Sequence, residues 1–126
     1  MRKIEQSMIQ AIREVLADAH FSGKYWGKGN TQVHQYHEPG PNGARYIEVI
    51  LHNTVVGLIE PSAQRISFYT KGYRTATTKA RISALLSLTD GYSIFQQNYN
   101  WKYAKKTWTR KESKEFYDGL CLGLSL

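Results

Sequence analysis

At the start of the chain apolar side chains recur at helical spacing. Ile4, Met8, Ile12, Val15, Leu16 and Ala19 form a stripe, with Arg2, Glu5, Arg13 and Glu14 off it. The spacing predicts an amphipathic helix over about residues 2–19. "FSGKYWGKGN", 21–30, breaks the pattern with three glycines and reads as a loop. The period then shortens to two. "TQVHQYH" reads as a strand ended by the turn-rich "EPGPNG". "RYIEVILH" and "VVGLIE" flank Asn53-Thr54 as a hairpin in which Leu51 faces Val56 and Val49 faces Leu58. In "RISFYTK", Ile66, Phe68 and Thr70 share one face, so burying them turns Ser67, Tyr69 and Lys71 outward.

A second helix is expected to begin after Thr77 or nearby, with Ile82, Leu85 and Leu86 as its core face and Lys79 and Ser83 toward the polar side. Beyond "DGY", the stretch "YSIFQQNYNWKYAKK" reads as another hairpin. Thr109 with Glu112 makes a capping box, which predicts a short helix over 110–118 stopped by Gly119. The apolar tail "LCLGLSL" is left to dock on the body or fray. With no repeat, low-complexity tract or linker, the expectation is one α+β domain over residues 1–126. It has an N-terminal helix, an antiparallel sheet of about four to six strands in hairpins, one helix packed on the sheet and a short C-terminal helix.

Composition adds little to this picture, but charge adds more. At 41% hydrophobic and 21% charged, the 126 residues read as a soluble globular domain with a real core. No apolar run nears the roughly 20 residues of a membrane span. Met1-Arg2-Lys3 leads into an amphipathic stretch, not a signal core, and the lone Cys121 fits a reducing compartment. A cytoplasmic protein with no membrane partner is expected. Residues 1–60 sum to zero charge, 61–111 to +9 and the tail to −2, giving +7 overall. Such a one-sided block attracts polyanions.

Two stretches carry that charge. In "GYRTATTKARISALL" the hydroxyls of Thr75, Thr77 and Thr78 lie beside Arg74, Lys79 and Arg81 at a helix start. There, unpaired N–H groups and the positive dipole end attract anions. The blander reading makes one threonine the N-cap and the rest a solvated face. In "YNWKYAKKTWTRK", Tyr99, Trp101 and Tyr103 share a strand face, and Lys102, Lys105, Lys106, Arg110 and Lys111 surround them. Stacking rings with backbone-tracking cations are the pattern of single-strand binding surfaces, although burial in the core is the commoner fate of such rings. Trp26, with Lys24 and Lys28, is a third candidate for base stacking or for anchoring a partner.

Catalysis finds no support. His34 and His37 point to opposite faces of a strand, Glu48 faces away from Glu60 in the expected register, and no glycine-rich nucleotide loop occurs. Neither a metal nor any other cofactor is expected.

The segments "FSGKYWGKGNTQV", "VILHNTVVGLI" and "GYRTATTKARISALL" resemble a family of short, mostly uncharacterised bacteriophage proteins. The likeness rests on a Trp-x-x-Gly-Asn-Thr element over residues 26–31 and on a Leu-His-Asn hairpin at 51–53. Its third part is a Gly-aromatic-x-Thr-x-Thr-Thr-Lys-x-Arg helix start over 72–81, with Ser83 where that family has asparagine. It spans about residues 21–104. The resemblance implies phage or prophage origin and a host-directed or DNA-metabolism role. The leading expectation is a non-enzymatic nucleic-acid-binding phage protein with little sequence preference, acting in the infected cell. The alternative is an inhibitor whose basic and aromatic surface binds a host or defence protein.

Overall fold

The computed structural model describes residues 1–41 and 43–126, the side chain of Arg110 lying outside the described set. Helix α1 (Lys3–Leu16) is followed by strands β1 (Gly23–Lys28), β2 (Thr31–His37), β3 (Arg45–Leu51), β4 (Thr54–Glu60) and β5 (Arg65–Phe68). Helix α2 (Ala76–Leu85) then precedes β6 (Tyr92–Gln97), β7 (Asn100–Lys105), the two-residue β8 (Lys114–Glu115) and β9 (Leu120–Gly123). The strands make a six-stranded antiparallel sheet, order β1-β2-β3-β4-β5-β9, and a three-stranded one, order β6-β7-β8. The fold is α+β, with an N-terminal helix and a second helix packed on the sheet, as the sequence predicts.

Strand alternation sends Val33, Ile47, Val49, Ile59, Ile66 and Phe68 to one face of the large sheet, where Met8, Ile12 and Val15 of α1 and Ile82 and Leu85 of α2 cover them. Helix α2 touches β4 of the large sheet and β6 of the small one, so it joins the two. Gly57 on β4 makes room for it: a Cβ there would stand 2.8 Å from Leu85 Cδ1. Ile94, Trp101 and Tyr103 of the small sheet, with Phe116, complete the same core.

Several expectations are corrected. The 21–30 stretch is largely strand: β1 forms the edge of the large sheet, with a bulge between Lys24 and Trp26, because backbone bonds to β2 need no apolar alternation. The central hairpin turns at His52-Asn53, both at positive φ (49° and 64°), the signature of a type I′ turn. A second bulge pairs Val49 with Gly57 and Glu48 with Leu58, which places Glu48 on the same face as Glu60. The helix expected over 110–118 shrinks to a 3-10 turn, Arg110–Glu112, because the chain then pairs with β7. The tail docks as β9 against β5. Glu5, expected off the apolar stripe, is buried.

Candidate nucleic-acid interface

The start of α2 forms as its threonines predict, and this uses most of them up. Thr75 is the N-cap; its Oγ1 accepts the Thr78 N–H at 3.1 Å and lies 3.0 Å from the Thr78 hydroxyl. Thr78 is buried, whereas Thr77 and Lys79 stay partly exposed. Arg74 lies over the rings of Trp101 (5.4 Å) and Phe116 (5.6 Å) and donates to the Phe116 carbonyl at 3.3 Å, fastening the segment before α2 to the small sheet. Arg81 is removed from the expected surface altogether. Its Nη1 donates to Glu5 Oε2 at 2.7 Å and its Nε to Thr31 Oγ1 at 3.0 Å, with both charged side chains buried.

Asp118 completes this region. Its carboxylate accepts the Thr70 N–H (3.0 Å), the Thr70 hydroxyl (2.8 Å) and the Lys71 N–H (2.7 Å), holding the turn into α2 against the C-terminal segment. Burial works to raise its pKa. The three hydrogen bonds and the nearby Arg74 charge outweigh that and hold it below the ordinary aspartate value. The folded-state pKa being depressed, the stabilisation is present above the unfolded value of about 3.9 and is lost as pH falls through the folded one. Asp118→Asn should therefore cost about 1–2 kcal/mol at neutral pH, after allowance for the side chain's exposure. Thermal melts across the acid range should show the gap to wild type closing below about pH 4. A gap constant with pH would mean that the charge is not what anchors the turn.

The small sheet carries the remaining candidates. Trp101 and Tyr103 face the core and are 3% and 7% exposed, so neither ring is open to a base. Tyr99 is 94% exposed at the β6–β7 turn, where it and Asn98 have φ of 67° and 51°. Lys106 and Lys111 are exposed, and Lys102 and Lys105 partly so. Lys105 Nζ is 3.3 Å from Asp90, and Lys114, a cation the sequence reading passed over, has its Nζ 5.2 Å from the Trp108 ring centroid. The phosphate contact expected of Arg110 falls outside the described side chains. Beside these cations runs a groove of about 470 Å³ lined by Ser93, Phe95, Gln96, Gln97, Ala104, Lys105, Lys106, Trp108 and Thr109. Trp26 belongs elsewhere, half-buried against the core on the edge strand of the large sheet.

A family model described as Kyanoviridae Gp96 protein matches residues 1–123. The chain belongs to that family of phage proteins. No curated protein and no solved structure matches it. The Gp96 match takes in α1 and β9, which lie outside the 21–104 resemblance, so the matched span covers both sheets and both helices. Within it, β2 sets His34 opposite Glu48 and His37 opposite Arg45, on different faces. His34 bonds Gln32, His37 the Ala19 carbonyl and His52 Asn30. Glu60 accepts from Nε and Nη2 of Arg65. Among the described residues no group of three or more His, Cys, Asp or Glu is placed to hold a metal, and no helix is long and apolar enough to cross a membrane.

Sequence reasoning passed over Phe95 and Trp108, and the signal for Phe95 was present. In "YSIFQQ", an inward Ile94 turns Phe95 to the opposite face.

Proposed function

We propose that this Gp96-family protein binds nucleic acid non-enzymatically in the infected bacterial cytoplasm, gripping the phosphate backbone with little sequence preference. The observation that carries the reading is the basic small sheet. Lys105 and Lys106 line one groove, Lys102 stands across from its Phe95, and Lys111 is exposed in the segment that follows; among the described residues only Lys105 of these four forms an ion pair. Cations in that density suit a polyanion, and contacts to phosphate carry no sequence information. Thr77 and Lys79, still partly exposed at the start of α2, are auxiliary contacts.

The test is fluorescence anisotropy with labelled single- and double-stranded DNA and RNA of about sixteen nucleotides. On raising salt from about 50 to about 200 mM, log K should fall linearly with log salt, by about 0.7 per phosphate contact for single strands and about 0.9 for duplex. Absence of binding at the lowest salt, or binding indifferent to salt, sinks the proposal.

A second reading, an inhibitor of a host or defence protein, draws on Tyr99. The hairpin's two-residue turn imposes the positive φ of Tyr99 and presents its ring to solvent, and a wholly exposed ring is hot-spot chemistry. Retention of a bacterial protein that survives high salt and is lost in Tyr99→Ala favours this reading over the first.

A further inference from the structure

We infer that the groove on the small sheet is a base-stacking site for single-stranded nucleic acid, with Phe95 as the platform; this rests on the nucleic-acid reading and specifies its ligand. The geometry starts from alternation in β6. Ile94 is 8% exposed and faces the core, so Phe95 projects from the other side of the sheet. No residue on that side is buried: Ser93, Gln97, Asn100 and Glu115 are exposed, and Lys102 and Ala104 partly so. An aromatic ring there contributes little to the core, unlike Trp101 on the opposite face.

The register places Lys102 directly across from Phe95, within reach of the same bound group, and Ser93 across from Ala104. Glu115 lies beside Lys102 and partly offsets it, which leaves the exposed Lys106 as the stronger phosphate contact at the groove. At about 470 Å³ the groove has room for a heterocyclic ring and its sugar. In a duplex the bases are stacked on one another and only phosphates reach a protein surface of this kind. A ring flanked by cations therefore rewards a strand whose bases are unpaired. Trp108 lines the end of the groove while its ring packs on Tyr92 (edge-on, 5.8 Å) and Tyr103 (6.2 Å) of the core face, so it is held in place and forms no part of the platform.

The probes are oligothymidylate, an abasic strand of equal length carrying the same phosphates, and a duplex. Wild type should bind oligothymidylate at least about 10-fold more tightly than either of the others, read by fluorescence anisotropy. Phe95→Ala should lower oligothymidylate affinity about 10-fold or more and leave abasic and duplex binding unchanged, whereas Phe95→Tyr keeps the preference. Unchanged circular dichroism in both variants guards against loss of fold. Equal affinity for the abasic strand, or an unaltered preference in Phe95→Ala, overturns the stacking site and leaves the phosphate-binding reading standing. Failure of all three probes to bind removes both.

Discussion

Replacing Glu5 by alanine is expected to lower stability by about 3–5 kcal/mol, much of what holds a domain of this size together. Glu5 and Arg81 are 6% and 5% exposed at the side chain and meet at 2.7 Å. Burial pushes the Arg81 guanidinium below the usual arginine value, Glu5 opposing that shift and Arg2 adding to it. Without Glu5 the cation stays in the interior with the Thr31 hydroxyl as its one remaining partner among the described residues. Glu5 also accepts the Arg2 N–H at 3.2 Å, so its loss leaves a donor open at the first turn of α1. Urea unfolding followed by near-ultraviolet circular dichroism gives the measurement. The double variant Glu5→Leu/Arg81→Met, which removes both charges and keeps hydrocarbon in their place, should recover most of the loss. A single-variant cost below about 1 kcal/mol would contradict the buried-pair account.

That pair marks where the sequence stopped being legible. The apolar stripe of α1 and the core positions Ile82 and Leu85 of α2 follow from period alone. A charge at a core position does not, because a single residue looks solvated whichever face it occupies. The signal lay in two segments at once. Glu5 falls three residues before Met8 on the stripe, and Arg81 falls between Thr78 and Leu85, all three of these neighbours being buried. Each charge is tolerated inside only because the other is there, and the pairing is made by tertiary structure between residues 76 positions apart.

Sheet and site divide in the same way. β2 to β4 were readable because one face of each strand is buried and alternation shows it; in β5, Ser67, expected outward, is buried along with Ile66 and Phe68. β1, carrying Gly23, Gly27, Lys24 and Lys28, has almost no apolar pattern and is a strand because β2 offers its edge. The central hairpin was misread first at its turn, which falls on His52-Asn53, and again at the bulge between β3 and β4, which has no signature in composition. Of the threonines before α2, the capping reading took Thr75 and Thr78. The aromatic–basic segment split by strand parity: Trp101 went inward, Lys102 outward, and the ring available on the open face came from the partner strand.

Removing the cations that do no internal work should have the largest effect on binding. Lys102, Lys106 and Lys111 form no ion pair among the described residues, so a triple alanine variant should unfold within about 0.5 kcal/mol of wild type. Near 0.1 M salt, releasing one counterion from a single strand contributes about 0.7 to log K, roughly five-fold. Three lost contacts therefore predict about 100-fold weaker binding and a salt slope shallower by about 2. Arg74 is the wrong residue for this purpose. Its guanidinium covers Trp101 and Phe116, so Arg74→Ala disturbs the core and weak binding would be uninterpretable. Lys105 is set aside for a like reason, since it holds Asp90 and lies 5.8 Å from the Tyr92 ring centroid. Lys79→Ala is the comparison: one contact at most, so about five-fold. Wild-type affinity and slope in the triple variant would place the phosphates away from the small sheet. A larger loss in Lys79→Ala than in the triple variant would place them at the start of α2.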